Sequence, residues 1–251
     1  SQFTIRTGTV MEGSHVSIRQ WLFAMYLVST ARKGISSIEL SKIIGVTQKT
    51  SWFMLGSLRE ACQNEGLVSG TVEVDETYIG GCESNRHNSK KLNMGRGTVG
   101  KSIIFGARSR SGVVRAKVIS GTDKMTLCQA VNNQVAQGSR LFTDEHATYQ
   151  HVQGYRHETV NHTAKVYVRG DVHTNSIESV WAIIKRGHYG VYHQWSKKHM
   201  TRYINEFVFR LNAKNLPAFL VNETTCGINF IRLLVVGMEG RRLTYKALTN
   251  G

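Results

Sequence analysis

The chain has 251 residues, of which 41% are apolar, so it is not a disordered protein and has room for one large domain or two smaller ones. A net charge of +15, from 32 Lys and Arg against 17 Asp and Glu, is typical of proteins that bind nucleic acid. Four widely spaced cysteines argue against a disulfide framework or a zinc site, and no apolar run is long enough for a membrane span. We therefore expect a soluble intracellular protein, cytoplasmic and nucleoid-associated in a bacterium or nuclear in a eukaryote.

Residues 1–65 are predicted to form three helices. In each of them apolar residues recur at helical spacing, and a small polar residue stands where the helix would begin. These expected N-caps are Ser17, Ser36 and Thr47. Gly45 separates the second helix from the third.

The second and third of these helices have the pattern of a helix-turn-helix, a short helix and a glycine-containing turn before a second helix. In that arrangement the start of the last helix faces a DNA groove, and its candidate DNA-binding residues are Gln48, Lys49 and Thr50. An ordinary helical hairpin explains the same pattern equally well.

From Gly66 the apolar pattern changes to short β-rich runs separated by glycine and charged turns. The predicted order is strands at 71–80, 101–109 and 112–120, a helix at 123–138, strands at 139–146 and 159–168, and helices at 175–187 and 196–214. This order is typical of a mixed α/β sheet, which we place at residues 66–215. Residues 216–251 are predicted to be a tail used for packing or assembly.

Three carboxylates occupy positions that could bring them together. Asp75 lies within the first strand, Asp144 ends the fourth, and Glu178 lies in the first turn of the following helix. Oxygen ligands of this kind suit Mg²⁺ or Mn²⁺. Asn175 is a rival third ligand, although an amide binds a hard cation less well. Singly, each acid has an ordinary explanation as a solvated strand residue, a turn residue, or part of a capping box between Asn175 and Glu178.

Six stretches between about residue 70 and 212 carry a family resemblance: VEVDETYIGG, GRGTVGK, LFTDEHATY, VNH, VHTNSIESVWAIIKRGHYGVYH and KHMTRYINEFVFRLN. Together with TIRTGTVMEGS upstream, they resemble the ISXO-type DDE transposases of bacterial insertion sequences, the group related to Merlin transposons. The resemblance implies an RNase H-like α/β fold, a mixed sheet flanked by helices, after an all-α helix-turn-helix region. It also implies that Asp75, Asp144 and Glu178 are catalytic metal ligands on the first strand, the fourth strand and a late helix.

The implied chemistry is cleavage of transposon ends at their terminal inverted repeats by two Mg²⁺ or Mn²⁺ ions, followed by joining of the 3′-OH to target DNA. Asp75 would bridge the two ions. Lys185, the fourth catalytic candidate, follows Glu178 by seven residues on the same helix face, where it could hold a DNA phosphate, and Arg186 is a further DNA-binding candidate. The expected partners are double-stranded DNA and further copies of the chain, as a homodimer or larger homo-oligomer, with no membrane and no nucleotide cofactor.

The stretch GRGTVGKS at 95–102 matches a Walker A pattern, which in a true P-loop follows a strand and opens a helix. Here it follows a polar run and leads into a β-rich run. We therefore expect Arg96 and Lys101 to contact DNA phosphates in a basic turn instead.

Some residues and functions stay open. Glu73 and Glu76 could belong to the site's electrostatics or to ordinary surface, and His162 and His173 either line the site or are hydrogen-bonded core histidines. The zinc ribbon that often precedes the TGTV stretch in this family has no CxxC counterpart here. The alternatives to a transposase are a domesticated, non-catalytic DNA-binding protein and an RNase H-like nuclease without strand transfer.

Overall fold

The computed structural model describes residues 4–62, 65–81, 87–91, 100–144, 147–160, 171–214 and 226–250. The helices are α1 (Ile18–Thr30), α2 (Ser37–Ile44), α3 (Gln48–Ala61), α4 (Lys124–Gln134), α5 (Asn175–Gly187), α6 (Met200–Lys214), α7 (Cys226–Met238) and α8 (Tyr245–Asn250). The strands are β1 (Thr71–Ile79), β2 (Ser102–Ser109), β3 (Val114–Ile119), β4 (Arg140–Asp144) and β5 (Arg156–Val160).

The first three helices begin at the residues that the sequence predicts. The side-chain oxygens of Ser17, Ser36 and Thr47 each accept a hydrogen bond from the backbone N–H three residues later, which satisfies a donor that the helix leaves unpaired. Gly45 ends α2 with φ of 71°, a left-handed conformation that glycine adopts without steric penalty. The predicted N-caps are therefore confirmed.

The five strands form one mixed sheet in the order β3-β2-β1-β4-β5. β1, β2 and β3 pair antiparallel in sequence, whereas β4 is parallel to both β1 and β5. With helices on both faces, this is the RNase H-like arrangement that the sequence predicts, and β1 occupies its centre. The last strand was expected at 159–168, but β5 covers 156–160, and residues 161–170 lie outside the described part of the chain.

Each face of the sheet is covered by different elements because side chains alternate along a strand. On one face, Val72 and Val74 of β1 pack with Leu127 and Val131 of α4 and with Tyr149. On the other face lies α5, whose Ile177 and Trp181 are buried. These two residues belong to the stripe that the sequence predicts to pack α5 on the sheet.

The chain forms two compact units, and their division differs from the predicted domain boundaries. One unit comprises Ser1–Asn64, Tyr189–His193 and Arg202–Gly251, and the other comprises Glu65–His188 and Gln194–Thr201. Most of α6 therefore groups with the N-terminal helices, although residues 66–215 were predicted to form one α/β domain.

The physical reason is a shared apolar core in the helical unit. Phe209 of α6 and Phe230 of α7 have ring centroids 5.1 Å apart, and both are buried in the same cluster as Trp21 and Met54 of α1 and α3. Burying such side chains stabilises the unit by about 1.5–3 kcal/mol each. The C-terminal segment is thus a packing element, at least for residues 226–250.

The same unit contains a buried charge cluster. Glu206 accepts from Arg59 Nε at 2.7 Å and from an Arg210 guanidinium nitrogen at 2.5 Å, and the three side chains are at most 5% exposed. Arg210 also donates to the backbone carbonyls of Val28 and Ala31. The cluster therefore ties α3, α6 and the end of α1 together.

Within the described residues, no helix combines the length and the apolar content needed to cross a lipid bilayer.

Candidate active site

The parallel pairing of β1 and β4 carries two of the predicted carboxylates to the same edge of the sheet. The last residues paired between these strands are Glu73 and Phe142. Asp75 and Asp144 lie two residues further along the two strands, and Asp144 is the last residue of β4. The negative charge of Asp144 is close enough to raise the pKa of Asp75. The structure thus brings these two acids together.

Asp75 is half-buried and lies beneath α5. Its Oδ2 accepts a hydrogen bond of 2.9 Å from the indole Nε1–H of Trp181. Burial raises the pKa of Asp75 to about 6, the hydrogen bonds from Trp181 and the Glu76 backbone oppose this rise, and the charges of Asp144 and Glu178 add to it. The described surroundings of Asp75 therefore disfavour its negatively charged form.

Glu178 is an exposed residue in the first turn of α5, within electrostatic reach of Asp75. The N-cap of α5 is Thr174, whose side chain makes no capping hydrogen bond and instead lies with its hydroxyl 3.3 Å from Glu178 Oε1. The capping-box alternative between Asn175 and Glu178 is therefore wrong, because Asn175 is already the first helical residue. Asn175, the rival ligand, is exposed at that position.

Glu73 is a functional residue whose role the sequence left open. It is fully buried on the same face of β1 as Asp75, and its Oε2 accepts from the backbone N–H groups of Ser176 and Ile177 at 2.8 and 3.0 Å. An acid at a helix N-terminus satisfies unpaired donors and interacts favourably with the helix dipole. Glu73 therefore fastens the start of α5, the helix that carries Glu178 and Trp181, to the central strand.

Arg110 completes this anchor from the turn after β2. Its Nε lies 2.8 Å from Glu73 Oε1, an ion pair by distance although not aligned as a hydrogen bond. The same guanidinium contacts His173 Nε2 at 2.8 Å and donates to the carbonyl of Asp171 at 3.0 Å. His173 is thus a hydrogen-bonded part of the anchor, whereas His162 lies outside the described residues.

Glu76 points to the opposite face of the sheet, where it accepts a hydrogen bond from the Tyr149 hydroxyl. Burial raises the pKa of Glu76 to about 8, and the charges of Asp75 and Asp144 contribute to the shift. The protonated form is thus favoured at neutral pH. Glu76 belongs to the electrostatic surroundings of the site and not to ordinary surface.

The donor types suit Mg²⁺ or Mn²⁺, although the side chains are not closed around a metal position. In the described ranges, no three His, Cys, Asp or Glu side chains stand together closely enough to hold an ion as they are oriented. Burial raises the pKa of Asp75 most and the charges of Asp144 and Glu178 add to this rise, so a divalent cation bound there would stabilise the ionised carboxylate. Binding would require side-chain rotation, which is open to the exposed Glu178.

The basic candidates fall into two groups. Lys185 is half-buried and Arg186 exposed in the last turn of α5, on the helix that carries Glu178. Lys101 is half-buried directly before β2, so the expectation that a strand follows this stretch is confirmed, and a P-loop would require a helix there. Arg96 lies outside the described residues.

The predicted recognition residues lie at the start of α3, where Gln48 and Lys49 are exposed and Thr50 is half-buried. Gln48 Nε2 donates to Ser37 Oγ at 2.9 Å, and Lys49 Nζ lies 4.7 Å from the ring centroid of Tyr245 in α8. The contact with α8 was not visible in the sequence, because the two segments are far apart in the chain. Contact of these residues with DNA stays a prediction.

Comparison with known proteins places this geometry in a family. The ISXO2-like transposase domain matches residues 67–212, more than half of the chain. An "Uncharacterized protein in transposable element ISH50" from Halobacterium salinarum is 28% identical over 234 residues, which cover 86% of this chain and 76% of that protein. A chain in the crystal structure of a pre-cleavage Mos1 transpososome is 9% identical with a TM-score of 0.30, covering 88% of this chain and 79% of that chain. Because the matched range includes β1, β4 and α5 with all three carboxylates, the site lies within a recognised domain, and the chain belongs to the ISXO2-like transposase family.

Proposed function

We propose that this transposase binds the terminal inverted repeats of its element, cleaves the ends by metal-dependent phosphodiester hydrolysis and joins the 3′-OH to target DNA. The observation that carries the proposal is that Asp144 from β4 and Glu178 from α5 each lie within electrostatic reach of Asp75 on β1. The negative charges of Asp144 and Glu178 disfavour the ionised form of Asp75, and a bound cation would offset this effect.

In this proposal Asp75, Asp144 and Glu178 are the residues that would hold the metal. Mg²⁺ or Mn²⁺, when bound there, supplies Lewis-acid activation of the attacking oxygen and stabilises the leaving oxygen. Glu73 keeps α5 against β1 so that Glu178 stays within reach of Asp75. Trp181 holds one oxygen of Asp75.

Double-stranded DNA is the proposed substrate because the chain carries a net charge of +15. Lys185 and Arg186, in the last turn of α5, are the proposed phosphate contacts nearest the acids, and Arg96 and Lys101 are proposed to contact the backbone elsewhere. Gln48, Lys49 and Thr50 are proposed to contact the repeat. Holding two ends together further implies a homodimer or a larger homo-oligomer.

The test uses the full chain with labelled terminal-repeat DNA and a target plasmid, in Mg²⁺, Mn²⁺ or EDTA. We expect cleaved and joined products with either metal, none in EDTA, and a loss of roughly 1,000-fold or more in Asp75→Ala, since metal activation contributes several kcal/mol. Glu158→Gln is the matched control, because Glu158 is 42% exposed in an ion pair with Arg140 on β4.

The possible results separate the functions. Cleavage that persists in EDTA or in Asp75→Ala would contradict the metal site. Binding without cleavage would identify a non-catalytic DNA-binding protein, and cleavage without joining would identify a nuclease.

A further inference from the structure

We propose that Trp181 is the positioning residue for Asp75, fixing the orientation of this carboxylate for divalent metal through its indole N–H. The inference rests on the proposed function, because it assumes that Asp75 is a metal ligand. Trp181 was predicted from the sequence only to pack α5 on the sheet, and its polar contact is a separate role.

The contact is well defined. Trp181 is 4% exposed, and its Nε1 lies 2.9 Å from Asp75 Oδ2. Trp181 follows Glu178 by three residues, about one helical turn, so that α5 carries both an acid of the site and the donor to a second acid. Movement of α5 relative to β1 would therefore disturb both groups together.

The indole ring of Trp181 packs against the sheet at Gly106, and this position is its seat. Gly106 of β2 is the residue paired with Asp75 across the β1–β2 ladder. A Cβ built on Gly106 would lie 2.4 Å from Trp181 Cη2 and 2.6 Å from Cζ2, distances that real Cβ atoms essentially never show. The missing side chain thus lets the ring approach β2 closely while its N–H bonds Asp75 on the neighbouring strand.

A rigid donor matters at this position because the terminal torsion of an aspartate is soft and roughly two-fold. Without the indole, the backbone hydrogen bond from Glu76 is the remaining described restraint on the Asp75 carboxyl group. With Oδ2 held by the indole, the carboxylate keeps one orientation, and Oδ1 is the oxygen not used by Trp181. Hydrogen-bond partners of metal-binding carboxylates typically change metal affinity or activity by about 10- to 100-fold.

The experiment measures Mn²⁺ binding to the full chain by the loss of the free-ion EPR signal, without DNA and without turnover. Trp181→Phe removes the N–H donor and also leaves a smaller aromatic ring over Gly106, a loss of ring volume that the control variant shares. We expect its Mn²⁺ affinity to fall by about 10-fold or more. The matched control is Trp21→Phe, which removes an indole hydrogen bond of 3.1 Å to Ser14 Oγ in the helical unit and should leave Mn²⁺ affinity unchanged.

Gly106→Ala is the second variant, since it keeps the indole and displaces it from its seat. We expect the same direction of change in Mn²⁺ affinity. Thermal unfolding of each variant establishes that the protein is folded, so that a loss of affinity reports on the site. If Trp181→Phe fails to fold, the Gly106→Ala result decides in its place.

Two outcomes would overturn the inference, and they are distinguishable. If Asp75→Ala abolishes Mn²⁺ binding while folded Trp181→Phe or Gly106→Ala binds as tightly as the unmodified chain, Trp181 does not position the carboxylate and the proposed function stands. If Asp75→Ala binds Mn²⁺ like the unmodified chain, Asp75 is not a ligand, and the proposed metal site fails together with the inference.

Discussion

Glu206 in the helical unit and Asp75 in the sheet unit are both acids removed from water, and they differ in what surrounds them. Burial alone would raise the pKa of Glu206, but the charges of Arg59 and Arg210 outweigh burial and hold that pKa below its ordinary value. Burial raises the pKa of Asp75, and in the described part of the chain the charges that act on it are those of further acids, Asp144 and Glu178. Glu206, whose charge is balanced by two arginines, therefore belongs to a structural cluster. Asp75, whose charge is disfavoured by its described surroundings, is a candidate ligand for a cation.

Glu73 stands between these two cases on the same strand as Asp75. It is fully buried like Glu206, yet its compensation comes from Arg110 and from two helix N–H groups. Two acids on one face of one strand therefore have different tasks. Glu73 anchors the N-terminus of α5, whereas the ionised form of Asp75 is disfavoured by burial and by nearby acids.

The largest effect is expected from Glu206→Gln, which leaves two buried guanidinium groups without a carboxylate. Breaking a buried ion pair in this way lowers the free energy of unfolding by about 3–5 kcal/mol. Urea denaturation followed by helical circular dichroism measures the loss. The control is Glu60→Gln, since the Glu60–Arg202 ion pair is partly exposed and its loss should change stability by less than about 1 kcal/mol. Equal losses in the two variants would contradict a special role for Glu206.

A smaller effect is expected from Glu73→Gln. Glutamine has one acceptor oxygen, so it cannot serve both the N-terminus of α5 and Arg110, and its NH₂ group would face a donor. The expected loss is about 2–3 kcal/mol, with faster amide hydrogen exchange at Ser176 and Ile177. Glu158→Gln, at a surface ion pair, should leave exchange at these two amides unchanged. Unchanged exchange in Glu73→Gln as well would show that the anchor is not needed.

The smallest effect, of opposite sign, is expected from Asp75→Asn in EDTA. The pKa of Asp75 is raised in the folded chain from 3.8 to about 6, so its ionised form destabilises the fold, and stability falls as pH rises through this interval. This rise in pKa corresponds to about 3 kcal/mol at most, and because solvent screens the half-buried group, the uncharged asparagine should gain about 1–2 kcal/mol at pH above 7. The gain should vanish below about pH 3, where the aspartate is protonated in both states.

The measurement is thermal unfolding at the two pH values, repeated at neutral pH with Mg²⁺. The ion should raise the melting temperature of the unmodified chain and not of Asp75→Asn, because a ligand stabilises only the state that binds it. A stabilising effect of the substitution that persists at low pH would mean that charge repulsion is not its cause.

The features that were predicted correctly from the sequence depend on residues close to one another in the chain. The N-caps at Ser17, Ser36 and Thr47 follow from side chains that reach a backbone N–H three positions away. The alternation in β1 correctly placed Glu73 and Asp75 on one face. The positions of Asp75, Asp144 and Glu178 on two strands and a helix were likewise predicted, through the family resemblance.

Contacts between distant segments were not predictable. Glu73 looked ambiguous because its partners, Arg110 and the backbone of Ser176 and Ile177, are far from it in the chain. The grouping of α6 with the N-terminal helices depends on complementary apolar faces. The periodicity of apolar residues identifies the buried face of a helix, but not the element that packs against it. The capping box at Asn175 was wrong because the local pattern fits two helix starts one residue apart, and tertiary contacts select Thr174.

The parallel ladder between β1 and β4 has a consequence for the order of folding. It pairs Thr71–Glu73 with Arg140–Phe142, segments separated by two strands and a helix, so that closing it requires a long loop. Such non-local pairing is slow compared with the contacts between α2 and α3, which follow one another directly and are synthesised before β4. The acids assemble only after β4 and α5 have joined β1. In a partly folded chain the local contacts between α2 and α3 therefore form before the three carboxylates meet, whereas the full core of the helical unit awaits α6 and α7.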